Sequence, residues 1–270
     1  MPEGHVTHRL AGELNEAFAH ETVRVSSPQG RFAESAELLD HTVLDHAEAY
    51  GKNLFITFDA PGENTIHIHL GLIGKLFIRP IAPPVGLVRL RIADAVTAAD
   101  LYGPQTCRLL TPDAVADVMA KLGPDPLRAD ADPDASWRRV HASRKPIAAL
   151  LMDQKIAAGV GNIYRAEVLF RHRINPQTPG EKLKRASWQA MWADLVELMP
   201  LGVSEGRIDT VRPEHTPEAM GREPRIDRHG GEVYVYRRAG QPCWVCGREV
   251  RTADLEGRHL FWCATCQRRS

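Results

Sequence analysis

No apolar stretch in this 270-residue chain approaches the roughly 18 residues that a bilayer-spanning helix requires, which argues against a membrane protein. The opening run MPEGHVTHRLAGEL contains acids and lacks an apolar core, so it does not read as a secretory signal. The chain is therefore expected in the cytoplasm. There is no internal repeat, which argues against a solenoid. Cysteine is scarce: five in all, an odd number with four near the C-terminus, which is not a disulfide framework. Cys107, alone in LYGPQTCRLL, reads as a small buried hydrophobe. A positive surplus is missing too, since 34 Lys and Arg balance 34 Asp and Glu, whereas many nucleic-acid binders are basic overall.

That neutrality conceals a segregation. Residues 1–136 carry 11 Lys/Arg against 19 Asp/Glu, whereas 137–186 carry 11 against 3. Residues 187–230 return to 5 against 8, and 231–270 hold 7 against 4. Two basic blocks in a neutral chain suggest a localised polyanion site, with solvated helix faces as the alternative. The length suffices for two domains, and 43% hydrophobic with 25% charged residues is ordinary for a globular protein.

Val6, Leu10, Leu14 and Phe18 recur at helical spacing, which predicts a helix over 3–18 with Glu3 in its first turn. Between about 22 and 103 the period falls to two. NLFITFD (53–59), NTIHIHL (64–70), KLFIRPI (75–81) and GLVRLRI (86–92) read as strands separated by Gly and Pro turns. In the second, Ile66, Ile68 and Leu70 alternate with Thr65, His67 and His69, one apolar face and one polar. Such a succession indicates an antiparallel sandwich or barrel. The acidic run RADADPDA (128–135) reads as a domain linker. Beyond it, helices are expected over 147–158, 162–172 and about 181–198. The stretch 203–230 reads as irregular, and EVYVYRR (232–238) as a strand.

The tail reads C-W-V-C, sixteen residues, then C-A-T-C: Cys243, Cys246, Cys263 and Cys266. Zinc prefers four tetrahedral thiolates, and each CxxC knuckle supplies two. With every ligand drawn from protein, one zinc ion would be structural, not catalytic. Disulfides or redox pairs fit poorly with a cytoplasmic chain of this pattern. Between the knuckles, REVRTADLEGRHLFW reads as a β-hairpin whose turn, DLEG (254–257), is followed at once by Arg258. A guanidinium there suits a phosphate backbone, although an exposed Arg near a turn is often merely solvated.

In LLMDQKIAAGVGNIYRAEVLF, Gly159 and Gly161 separate two apolar-patterned helices, and Asn162 stands where an N-cap is expected. Free amides at a helix start form an anion site, and Lys155, Arg165, Arg171 and Arg173 add positive charge around it. An ordinary helical hairpin with a capping Asn is the competing explanation. His67 and His69 on one strand face could be metal ligands in principle, but no third ligand is apparent and polar residues facing a bound partner explain them equally well.

MPEG at the N-terminus, GKNLF around Lys52, HLGLIG (69–74), LGPDPL (122–127), the LLMDQ…AGVGNIYRAEVLF segment and the CxxC…CxxC tail ending in CQ occur in this order. In combination they resemble the endonuclease VIII / formamidopyrimidine-DNA glycosylase family over essentially the whole chain. The MPEG opening is similar to the endonuclease VIII branch; the purine-directed branch typically begins PELPE. The resemblance implies an α+β protein: an N-terminal two-layer antiparallel β-sandwich with flanking helices, then a helix-two-turns-helix domain and a zinc-finger β-hairpin. The corresponding boundaries are 1–127 for the sandwich, 128–136 for the linker, 137–230 for the helical domain and 231–270 for the finger.

By the same resemblance, Pro2 matches the nucleophile once Met1 is removed, Glu3 the acid that assists it, Lys52 a lysine that aids catalysis, and Arg258 the finger arginine. Asn162 matches the phosphate-binding asparagine. Leu72, beside Gly71, is the candidate wedge into the space left by an extruded nucleotide, and Lys121, Lys155 and Arg165 are further candidate DNA contacts. The implied partner is damaged DNA, met in the nucleoid by a monomer. The implied activity is base excision with strand cleavage by β,δ-elimination, directed at oxidised pyrimidines. Two alternatives stand beside it: the same chemistry on oxidised purines, and a non-catalytic zinc-dependent DNA-binding protein. Pro2, Glu3 and Lys52 together argue against the latter, which has no need of them.

Overall fold

The computed structural model describes residues 2–227 and 231–268. The chain forms two compact units, Met1–Lys121 and Leu122–Ser270. Met1, whose removal is the step expected to expose Pro2, lies outside the described residues.

The first unit begins with α1 (Gly4–Phe18), followed by β1 (Glu21–Ser26), α2 (Ala33–Leu39), β2 (Thr42–Tyr50) and β3 (Asn53–Asp59). Next come β4 (Thr65–His69), β5 (Lys75–Pro80), β6 (Val88–Ala93), β7 (Thr97–Tyr102), β8 (Thr106–Leu110) and α3 (Pro112–Met119). The strand order is β5-β7-β6-β1-β2-β3-β4-β8, antiparallel throughout. β1 belongs to both layers: Glu21–Val23 pair with β2, while Arg24–Ser26 pair with β6. One strand thus passes the chain from one sheet to the other, and a single apolar core including Val23, Leu44, Ile56, Ile68 and Leu101 fills the space between.

Leu10, Leu14 and Phe18 bury the inner stripe of α1. Asn15 staples that helix to β2 in both directions: its Nδ2 donates to Ala47 O at 2.8 Å and its Oδ1 accepts from Ala47 N at 2.6 Å. All four expected strands form, within two residues of their expected ends. The polar face expected on β4 is nonetheless closed. His67 is buried, stacked on Phe55 at 5.0 Å, and its Nε2 lies 2.9 Å from Asn53 Oδ1. Burial first, then the charge of Arg108, lowers its pKa to about 4, so the ring is neutral.

The second unit contains α4 (Pro133–His141), α5 (Ile147–Leu150), α6 (Asn162–Arg171), α7 (Arg185–Glu205), α8 (Pro217–Met220), β9 (Arg251–Leu255) and β10 (Arg258–Trp262). One apolar core runs from Val140 through Tyr164, Trp188 and Tyr234 to Leu260 and Cys263. Helices and finger therefore share a hydrophobic interior. The expected linker 128–136 lies inside this unit. Asp132 caps α4, accepting from Asp134 N at 2.9 Å, with Pro133 at the first helical position. Ser136 is buried, and its hydroxyl donates to Ile156 O at 2.6 Å. The acidic composition is a capping signal there.

The helix expected over 147–158 stops after one turn. Asp153 Oδ1 accepts from Lys155 N at 2.9 Å, and Gln154 takes Gly159 N on its Oε1 while donating to Met152 O and Val160 O, each at 3.0 Å. Side chains compete successfully with the helical ladder here.

The strand expected over 232–238 is absent for a related reason. Its amides converge on the buried carboxylate of Glu167, which accepts from Tyr234 N at 2.6 Å and from Val235 N and Tyr236 N at 2.9 Å. Thr210 Oγ1 adds a fourth donor at 2.6 Å. The buried guanidinium of Arg238 closes the loop from its other end, donating to Tyr234 O at 2.5 Å and Pro242 O at 2.6 Å. It lies 3.5 Å from the Trp244 ring centroid, and burial lowers its pKa to about 10 although Glu167 opposes the shift.

Asp194 on α7 clamps the end of α6. It pairs with Arg171 through two bonds of 2.7 Å and with His172 at 3.1 Å. Burial alone raises the Asp194 pKa, but the His172 and Arg171 contacts outweigh it and hold the carboxyl at about 2.

Replacing Glu167 with Ala is expected to cost roughly 3 kcal/mol in urea denaturation, because four buried donors lose a charged acceptor. A loss below about 1 kcal/mol would contradict this account. The depressed pKa of Asp194 sets a second expectation. Its stabilisation is complete above the unfolded value near 4 and disappears as pH falls towards 2. In Asp194→Asn, the acid-side decline of stability should be shallower in that window than in the parent.

Candidate active site and metal centre

Glu3 is the N-cap of α1 and not, as expected, a residue of its first turn, and Pro2 immediately precedes it. Glu3 is 1% exposed, and its carboxylate makes no capping bond. The start of α1 is held from another element. Thr7 Oγ1 lies 2.7 Å from Gly51 O and 2.8 Å from Gly4 O, and the Thr7 side chain is buried. Gly51 and Lys52 form the two-residue turn between β2 and β3, closed by the Tyr50–Asn53 pair. Gly51 has φ +60°, a left-handed conformation that glycine adopts without strain. Thr7 therefore ties the segment carrying Pro2 and Glu3 to the turn carrying Lys52.

His69, at the end of β4, joins the same region. Burial lowers its pKa, the charge of Lys52 lowers it further, and a hydrogen bond donated by the ring to Gln105 opposes them. Its Nδ1 accepts from Gly71 N at 3.2 Å. Beyond lies the turn bearing Leu72 and Ile73, which are 63% and 78% exposed. Gly71 has φ +69°, and a Cβ there would meet Gln105 Cβ at 2.8 Å, so backbone and neighbour both exclude a side chain. His5, on α1, is buried with its pKa lowered to about 4, by burial first and then by Arg9. Lys121 is exposed just past the C-cap of α3, the helix that packs against β4 and β8.

In the second unit the N-cap of α6 is Gly161, not Asn162. Asn162 Nδ2 instead donates to His259 O on β10 at 3.0 Å. Arg165 donates to the same carbonyl at 3.1 Å, to Ala148 O at 3.4 Å and to Asn162 Oδ1. Arg165 is 1% exposed. The expectation that it meets DNA directly is corrected: its guanidinium is consumed inside the fold, where it holds α6 against the hairpin. Arg171 is similarly occupied by Asp194. Lys155 is exposed, and Gly123 of LGPDPL packs so close to the Lys155 carbonyl that no Cβ fits.

Arg258 opens β10, directly after a turn in which Glu256 and Gly257 have φ +49° and +72°, the pattern of a tight hairpin turn. His259 follows immediately, so the carbonyl that Asn162 and Arg165 hold is adjacent to Arg258.

The four cysteine sulfurs lie within 4.8 Å of one another, with 3.9 Å between Cys243 and Cys266 and 3.4 Å between Cys246 and Cys263. They form the one group of three or more His/Cys/Asp/Glu ligands found among the described residues, and His67 and His69 belong to no such group. Tetrahedral thiolates at about 2.3 Å from a metal stand roughly 3.8 Å apart, and the donor set fits. Gln267 explains the CQ ending. Buried, it accepts from Cys263 N and donates to Ile174 O, each at 2.9 Å, and so locks the second knuckle to the loop after α6.

Comparison with known proteins identifies the class. Residues 1–103 match the formamidopyrimidine-DNA glycosylase N-terminal domain, and residues 122–212 match the formamidopyrimidine-DNA glycosylase H2TH domain. The chain belongs to the formamidopyrimidine-DNA glycosylase family and is an enzyme of the bifunctional DNA glycosylase/AP-lyase class. Endonuclease 8 1 of Mycobacterium tuberculosis (strain H37Rv) is 50% identical over 276 residues, covering 99% of this chain and all of the relative. Formamidopyrimidine-DNA glycosylase of Methylococcus capsulatus is 31% identical over 281 residues, covering 99% of each. The fold matches that of Lactococcus lactis Fpg in complex with DNA containing an abasic site, with TM-score 0.80 and 22% identity over 99% of this chain and all of that one.

Chelation of a metal held by these four cysteines is expected to release the hairpin carrying Arg258 while largely sparing the first unit. Hydrogen exchange resolved along the chain checks this; simultaneous loss of protection in β2–β4 would contradict it.

Proposed function

We propose that the chain excises oxidised pyrimidines from DNA and cleaves the strand through an iminium formed at Pro2. The observation that carries this reading is the Thr7–Gly51 contact, which links the segment bearing Pro2 and Glu3 to the turn bearing Lys52. Removal of Met1 converts an amide nitrogen into a secondary amine. Free α-amino groups titrate near pH ~7.7–8, and the positive end of α1 disfavours protonation further. The neutral amine attacks C1′ of the damaged nucleotide. Glu3 protonates the sugar ring oxygen as the ring opens, then assists later transfers. Lys52 balances charge developing on the sugar or its phosphate. With the base expelled, the iminium acidifies the C2′ proton. β-Elimination and then δ-elimination release the sugar and leave a gap with phosphates at both ends.

The damaged nucleotide must leave the helix first, which costs a few kcal/mol and less at damaged pairs. Leu72 fills the space it vacates. Arg258 and the amides at the start of α6 grip phosphates, with Asn162 at that helix start; Lys121 and Lys155 add charge to the backbone contact. The metal is one structural Zn2+ held by Cys243, Cys246, Cys263 and Cys266. The preference for pyrimidines is supported by the MPEG opening and by the 50% identity to Endonuclease 8 1. No helix among the described residues is long and apolar enough to cross a membrane.

With Met1 verifiably removed, borohydride should trap a covalent adduct with duplexes containing oxidised pyrimidines or abasic sites. Absence of any adduct would favour the non-catalytic binding protein. Across a damage panel, 8-oxoguanine opposite cytosine as by far the best substrate would overturn the pyrimidine assignment.

A further inference from the structure

A cavity of about 260 Å³ lies in the second unit, between the C-terminal end of α6, the segment 212–215 and the second cysteine knuckle. Its cationic wall is Arg171, Arg173 and Arg212, with His215 and the Tyr234 hydroxyl beside them. Asp194 neutralises Arg171, whereas Arg173 and Arg212 are exposed and have no carboxylate partner among the described residues. One acid, Glu214, lines the cavity, and its side chain is 62% exposed. Phe170 and Val245 supply an apolar part.

Arg173 is there at a conformational cost. α6 ends in a Schellman motif: Ile174 N donates to Leu169 O at 2.9 Å and Arg173 N to Phe170 O at 3.0 Å. That motif places Arg173 at φ +55°, where glycine is the favoured residue. The chain holds an arginine in a left-handed position, and that arginine lines the cavity. Tyr234 is fixed as well, its hydroxyl accepting from Arg212 N at 2.9 Å and lying 3.0 Å from His215 Nδ1.

The cavity is not the phosphate-gripping end of the domain. Asn162 begins α6 and Arg171 ends it, so the ten-residue helix separates the two by roughly 15 Å. Two unpaired guanidiniums match the charge of a phosphomonoester, about −1.5 to −2 at neutral pH, and guanidinium forks suit its oxygens. The volume exceeds what a bare phosphate needs and approaches the lower end of small-molecule sites, about 300 Å³. We propose that this cavity binds a small phosphomonoester, up to a nucleoside monophosphate in size, with its phosphate against Arg173 and Arg212 and its organic part towards Phe170 and Val245.

Calorimetric titration of the full metal-loaded chain with thymidine 5′-monophosphate, inorganic phosphate and thymidine tests it. The monophosphate is expected to bind saturably and more tightly than either of the others. Arg212→Ala and Arg173→Gly should each weaken binding about tenfold or more, the loss of a charge-assisted contact. Because glycine relieves the left-handed strain, Arg173→Gly should keep or raise the Tm while losing the ligand, which an unfolded site would not do. Binding should persist when an abasic duplex already occupies the protein. No saturable binding, equal affinity for phosphate or thymidine, unchanged affinity in Arg173→Gly, or displacement by the duplex would each overturn the proposal.

Discussion

The first unit depends on one buried hydroxyl. Thr7 lies one turn into α1 and bonds Gly51 O across 44 positions of sequence. It joins the start of α1, which bears Pro2 and Glu3, to the tight turn bearing Lys52. A neutral intramolecular hydrogen bond contributes only about 1 kcal/mol, so its value lies in registration more than in stability. Covalent catalysis needs reacting groups held in a near-attack arrangement, and small displacements are costly to rate. The Asn15 staple to Ala47 sets the helix along β2, and Thr7 then sets its starting point.

The second unit uses the same economy with charged groups. Asn162 and Arg165 both hold His259 O, so the start of α6 and the strand that begins at Arg258 move as one piece. Glu167, five positions beyond Asn162 on the same helix, gathers the amides of 234–236 and so fixes the chain that leads into the first knuckle. Gln267 fixes the second knuckle to the loop after α6. A structural metal would then close a finger whose two ends are already anchored to α6 and the loop that follows it. Buried polar groups of this kind are costly unless every partner is present, which explains why so many side chains are committed to the fold in a segment that looks, in one dimension, like a basic surface.

Much of this was legible in one dimension. The stripe of α1 and the period-two strands follow directly from residue spacing, because side-chain burial enforces those periods. The CxxC spacing announced four clustered sulfurs, and the order of short motifs announced the family. What escaped is what depends on distant partners. Arg165 reads as surface charge until Asn162 and His259 are brought to it. EVYVYRR has the alternation of a strand, yet its amides answer to Glu167. His67 lies on a polar face by period, but Asn53 and Phe55 enclose it. The acidic run at the start of α4 reads as solvated linker, although Asp132 followed by Pro133 is a helix-start signal. Thr7 and Gln267 had no local signal beyond their place within conspicuous motifs.

The central claim is that the imino nitrogen of Pro2, and not the amine of Lys52, forms the covalent bond with the sugar. Peptide mapping by mass spectrometry of the borohydride-reduced adduct with abasic DNA tests it most directly, on protein lacking Met1. The account predicts the deoxyribose-derived mass on the N-terminal peptide, at Pro2. The same mass on the peptide containing Lys52, with Pro2 unmodified, would contradict it.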